Sequence, residues 1–239
     1  MIARGAGAAP AALLLASLLP ARAQESRPAP IPEPGGLNPH VLRVFESYPR
    51  DGSHGYWWPK GSAWEGTTRD LVYLGTKIAT GDPEKRSYCC GLTFEVFFRA
   101  WEEWCGEEGR PFRIGDLTAE SIGGFRRAWY GSDGDRRTLL HALVDYRLGS
   151  RVEDPEEARP GDFVQFWRES GTGHSAIFLA WERRDREIVG IRYGSSQGST
   201  KGIGVKTEYL AGEAARRGEK GKGIDRGQLF LARVGRARG

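Results

Sequence analysis

Cysteine is scarce in this 239-residue chain, with three in all. That excludes a disulfide-rich scaffold and a four-thiolate zinc site. Charge of one sign is also lacking: 35 Lys and Arg against 31 Asp and Glu leave a net charge of +4. The basic residues are scattered rather than striped, which argues against a nucleic-acid partner. No apolar run is long enough to cross a bilayer, and no internal repeat is present. No His/Asp/Glu pair has metal-ligand spacing, so neither a metal nor another cofactor is expected. Gly212 to Gly223 lacks both the Gly-Lys-Ser/Thr ending and the preceding strand of a phosphate loop. Its basic residues, with Arg233, Arg236 and Arg238, read as a solvated loop and tail that would at most help association with anionic wall polymers. What remains is a globular composition, 39% hydrophobic and 28% charged, which fits one domain with an appendage.

The appendage is N-terminal. Arg4 precedes the apolar run Ala11–Leu19, and Pro20 then leads into Ala21-Arg22-Ala23, a small-x-small cleavage pattern. Residues 1–23 therefore read as a secretory signal peptide, and the mature protein is expected to be secreted or periplasmic. Removing Arg4 and Arg22 with that segment lowers the charge from +4 to +2. No cysteine follows the apolar run, so no stable membrane anchor is expected. Residues 24–36 place prolines at 28, 30, 32 and 34, the pattern of an extended linker. The folded domain is expected over 37–239.

Within it, apolar spacings of three and four predict helices over Asp70–Ala79, Cys89–Cys105, Asp116–Trp129 and Asp135–Leu148. After Pro160 the period changes. Strands are expected over Asp162–Trp167, Ser175–Glu182, Glu187–Tyr193, Gly204–Thr207 and Gln228–Val234, separated by Gly-rich or charged turns. Helices followed by a run of antiparallel strands imply an α+β domain with a five-stranded sheet.

The cysteines carry the chemistry. If the helix is continuous, Cys89 or Cys90 lies roughly 22 Å along its axis from Cys105. A disulfide needs Cα atoms within about 7 Å, so all three are expected to be free thiols. Cys89 and Cys90 stand at the helix N-terminus, where the dipole and unpaired N–H groups favour thiolate. Cys105, at the other end, reads as a small buried hydrophobe. Gly91 is expected to permit close approach of a substrate chain. Among possible bases, His40 and His54 fall in loop-like sequence and His141 within an amphipathic helix. His174 differs: it follows Gly171-Thr172-Gly173 and opens the apolar strand Ser175–Trp181, at the mouth of a cleft.

Three segments resemble, in order, the landmarks of the NlpC-type papain-like cysteine peptidases of bacterial cell walls. They are Tyr88-Cys89-Cys90-Gly91-Leu92-Thr93, then Arg159-Pro160-Gly161-Asp162-Phe163-Val164, then Gly173-His174-Ser175-Ala176-Ile177-Phe178-Leu179. The resemblance spans about residues 70 to 235. It implies N-terminal helices packed on the antiparallel sheet, Cys89 as nucleophile with Cys90 as the alternative, and His174 as general base. The family's Asp before the nucleophile is Tyr88 here. Its third, orienting residue falls near Tyr193, with Gln197 preferred and Ser195 as the alternative. Residues 106–157 exceed the usual connection and read as a helical insertion shaping the cleft.

The implied activity is hydrolysis of amide bonds, in peptidoglycan stem peptides or another peptide, through a thiolate and an acyl-enzyme. Tyr88, Trp167, Tyr193 and Ser195 are candidate substrate-binding residues, and Tyr56, Trp57, Trp58 and Trp64 candidate groove residues. Two alternatives stand beside it. One is amidase or acyltransferase chemistry on another amide substrate; the other is a catalytically inactive cell-wall-binding module.

Overall fold

A computed structural model describes residues 31–58, 65–131 and 134–235, together with Met1. The rest of the signal-like segment, residues 24–30, Trp64, Arg236 and Arg238 lie outside the described residues.

The helix opened by the two cysteines, α2 (Cys89–Glu107), organises the core. Leu92, Val96, Phe97, Ala100 and Trp101 are fully buried, as their spacing along the helix anticipates. Its partners are α1 (Asn38–Glu46), α3 (Ser121–Tyr130) and α4 (Thr138–Asp145). Phe97 packs against Phe125 and Trp129, with ring centroids 5.3 and 5.1 Å apart. Burying side chains of this size contributes roughly 1.5–3 kcal/mol each. Residues 106–157 are thus part of the main core rather than an appended flap. Cys105 is buried as expected, its thiol directed at the Arg113 carbonyl at 3.7 Å.

Two helix expectations are corrected. Asp70–Ala79 forms a hairpin, β1 (Leu71–Tyr73) and β2 (Thr76–Ala79), not a helix. Leu74 and Gly75 both have positive φ, the two-residue turn whose twist matches paired strands. Conversely, the loop-like stretch around His40 is α1, with Pro39 in its first turn and Val41, Val44 and Phe45 buried. His40 is itself buried.

The sheet has six strands among the described residues, in the order β3-β8-β4-β5-β6-β7, all antiparallel. β4 (Phe163–Arg168), β5 (Gly173–Arg184), β6 (Glu187–Gln197), β7 (Gly202–Tyr209) and β8 (Ile224–Val234) match the five expected strands. The sixth, β3 (Gly149–Arg151), is too short and polar to carry an alternating pattern. One sheet face packs on α2; the other closes a second cluster around Phe166, Phe178 and Tyr193. Within 212–223, expected as loop, the short helix α5 (Ala211–Arg216) buries Ala214.

Polar anchors fasten these layers. Fully buried Asp162 accepts from Arg233 Nε at 2.9 Å and Nη2 at 2.7 Å, from Asn38 Nδ2 at 2.9 Å and from the Arg159 N–H at 2.8 Å. Arg233 is therefore not a solvated tail residue: it closes β8 onto the start of β4. Buried Glu95 on α2 accepts from the Tyr48 and Thr68 hydroxyls at 2.7 Å each. The last residues of the proline-rich stretch also dock, with Ile31 against the core and the Gly35 N–H on the Val234 carbonyl at 3.0 Å.

Candidate active site

Tyr88 precedes α2 in extended conformation, φ −130° and ψ 171°, and the first helical bond runs from Leu92 N–H to Tyr88 C=O at 2.9 Å. The N–H groups of Cys89, Cys90 and Gly91 are thus the donors that a helix start leaves outside its own ladder. Gly66 is wedged against this turn. A Cβ on Gly91 would lie 2.2 Å from the Gly66 carbonyl oxygen, and one on Gly66 would lie 2.3 Å from the Tyr88 ring. The close approach that Gly91 permits is therefore made by the chain itself and not by a substrate.

Cys89 is half-buried and Cys90 buried. Both line a cleft of about 280 Å³ together with His174, Gln165, Trp167 and Tyr130. Hydrogen bonding from the Cys90 thiol pulls Cys89 well below the usual thiol range. The cost of burial opposes this, while the charge and hydrogen bonding of His174 and the Ser175 N–H reinforce it. Cys90 is pushed the opposite way, by the Cys89 sulfur and by burial. His174 is among the main influences that lower Cys89, whereas the main ones on Cys90 are Cys89 and burial. Of the two candidate nucleophiles, Cys89 has the environment of a thiolate.

His174 is buried in β5, its ring 5.5 Å from both Phe166 and Tyr193. Gln197 is also buried, its Oε1 2.9 Å from the Tyr193 hydroxyl. Ser195 is withdrawn from both its candidate roles, since its hydroxyl donates to the Ser175 carbonyl at 2.8 Å. Tyr193 is fully buried beneath the imidazole and does not line the cleft. Tyr88 is likewise a wall behind it, its ring 4.5 Å from Trp58 and 6.1 Å from Tyr130. Trp167 does line the cleft, held by Nε1 donating to the Arg136 carbonyl at 2.8 Å. Trp58 and Trp57 are both exposed; Trp58 lines the cleft, whereas Trp57 does not and carries the Arg86 guanidinium 4.1 Å from its ring. Burial raises the Tyr56 phenol, and the two thiols add to that effect.

Gln165 was not legible as a site residue. Its Oε1 accepts two hydrogen bonds, from Thr138 Oγ1 at 3.1 Å and Ser175 Oγ at 2.5 Å. The side-chain nitrogen must then point away from both hydroxyls, and Gln165 lines the cleft beside the thiols. The one available signal is a polar residue amid the otherwise apolar run Phe163–Trp167. Residues 106–157 add Tyr130, Asp135 and Thr138 to the opposite wall, and Asp135 pairs with His141.

Among the described residues no group of three or more His, Cys, Asp and Glu is arranged to hold a metal, and no helix is long and apolar enough to cross a membrane. Comparison with protein-family models, curated proteins and solved structures finds no match.

Proposed function

We propose that the protein is an exported cysteine hydrolase of NlpC-like, papain-like architecture that cleaves amide bonds in peptidoglycan stem peptides. The observation that carries this is the Cys89 thiol, held low at a helix N-terminus in one cleft with His174. The ordered resemblance of the segments around Cys89, Asp162 and His174 supports the family, and the signal-like residues 1–23 support export.

The mechanism follows from the groups in the cleft. The Cys89 thiol proton passes to His174, leaving a thiolate and an imidazolium. The thiolate attacks the scissile carbonyl carbon, and the oxygen takes the negative charge. Helix-start N–H groups stabilise that charge from one wall and Gln165 Nε2 from the other. Collapse breaks the C–N bond, His174 returns the proton to the leaving amine, and an acyl-enzyme remains. Water, deprotonated by His174, then attacks the thioester and frees the acid and the thiol. Trp58 and Trp167 present apolar surface on which the substrate chain rests.

Digestion of purified peptidoglycan by wild type and Cys89→Ala, read by mass spectrometry of the released fragments, tests the assignment. New amide-cleaved fragments from wild type alone are expected. Equal product patterns from the two proteins refute it.

A further inference from the structure

The rim of the cleft carries a cation that the fold leaves without a counter-charge. Arg136 lies between α3 and α4, and its guanidinium stands over the Trp167 ring, 5.0 Å from the centroid. The contact is fastened at the backbone, since Trp167 Nε1 donates to the Arg136 carbonyl at 2.8 Å. The ring itself lies against Gly173, where a Cβ would come within 2.9 Å of it. Trp167 lines the cleft that holds Cys89 and His174, and so do Asp135 and Thr138, which flank Arg136 in the chain.

Two other arginines lie over tryptophan rings, and both are spent. Arg86, over Trp57, gives Nε and Nη2 to Asp82 at 2.8 and 3.0 Å. Arg110, over Trp104, donates to Glu108 at 3.1 Å. Arg136 has no carboxylate partner among the described residues. The acid beside it, Asp135, is already engaged: it pairs with His141, accepts the Arg137 N–H at 2.8 Å and stands 3.8 Å from Arg137 Nε. An aromatic face steadies a guanidinium without using its N–H groups. The planar fork that remains matches a carboxylate through two parallel hydrogen bonds.

We propose that Arg136 is a specificity-determining residue that takes a free carboxylate on the peptide resting against Trp167. A peptide carrying that group as a carboxamide offers the fork one neutral oxygen and no charge, so the cleft selects the unamidated chain. The inference rests on the amide-hydrolase reading of the cleft and adds to it a choice between two forms of the substrate. The selecting residue comes from residues 106–157, not from the segments that resemble the cysteine peptidases.

The test compares a synthetic stem peptide with derivatives in which each carboxylate in turn is a carboxamide. Two readouts run side by side: kcat/KM of the wild type, and calorimetric affinity of Cys89→Ala, each with and without Arg136→Gln. One derivative is expected to lose about tenfold in both, the effect of one charged hydrogen bond. Arg136→Gln is expected to abolish that difference, and Arg136→Lys, which keeps the charge without the fork, to retain part of it. A ratio between two peptides is not moved by a general loss of folded protein. Derivatives that the wild type cleaves and Cys89→Ala binds like the parent overturn the proposal, as does a difference that survives in Arg136→Gln. Equal cleavage of every peptide refutes the selection and leaves the hydrolase standing. A binding difference that depends on Arg136, with no peptide cleaved, upholds the selection and refutes the hydrolase.

Discussion

Ser175 and Gln165 face each other across β4 and β5, and the serine hydroxyl donates to the glutamine Oε1 at 2.5 Å. Together with Thr138 it fixes which end of the amide the substrate meets. Gln165→Glu keeps an acceptor for both hydroxyls but replaces the N–H donor with oxygen. Loss of one oxyanion donor typically costs 10²–10³ in turnover, so a fall of about 10²-fold in peptide release is expected. Alkylation of Cys89, which needs no oxyanion donor, is expected to persist; a variant of unchanged turnover removes Gln165 from the mechanism.

Cys90 acts on its neighbour through one S–H. In Cys90→Ala the Cys89 thiol loses the largest influence holding it low and moves up toward the ordinary range. Alkylation follows the thiolate fraction, so the pH–rate profile of Cys90→Ala is expected to move to higher pH, with the rate lost only below the new pKa. Cys90→Ser retains a donor and is expected to lie between. A pH–rate profile for Cys90→Ala that superimposes on wild type contradicts the pairing.

Arg233 and Asp162 form a buried two-pronged ion pair between β8 and the start of β4. Removing one partner of such a pair strands the other charge, at a cost of about 3–5 kcal/mol. Urea denaturation of Arg233→Ala should show that loss; a change below about 1 kcal/mol would be the signature of a solvated residue.

Gly91→Ala drives a methyl group into the Gly66 carbonyl, a backbone atom that cannot swing aside. Overpacking of this kind costs about 1–3 kcal/mol, so a lower thermal midpoint is expected. An unchanged midpoint contradicts the tight packing of Gly66 on the helix start.

The legible parts of the fold are those with a long period. The α2 stripe and the five principal strands stand in the sequence because burial selects one residue type at a fixed spacing. The β1–β2 hairpin was hidden because Leu71–Tyr73 and Thr76–Ala79 are each shorter than a helical turn can be told from. Its signal was Gly75, flanked by β-branched and aromatic residues. Cys89 and His174 were legible because each sits at or next to an element start, Cys89 opening α2 and His174 following the first residue of β5. Gln165 was not: it meets Ser175 across β4 and β5 and Thr138 on α4, contacts between separate elements that no local pattern encodes. Arg233 and Asp162, 71 residues apart, belong to the same class.

The central claim is that Cys89 is a thiolate poised by His174. Intact-mass and peptide mapping after brief exposure to iodoacetamide at about pH 6 test it most directly. One equivalent of label, located on Cys89, is expected in wild type, with strongly slowed labelling in His174→Ala. Thiols inert at that pH, or label placed on Cys90 with Cys89 untouched, would contradict the account.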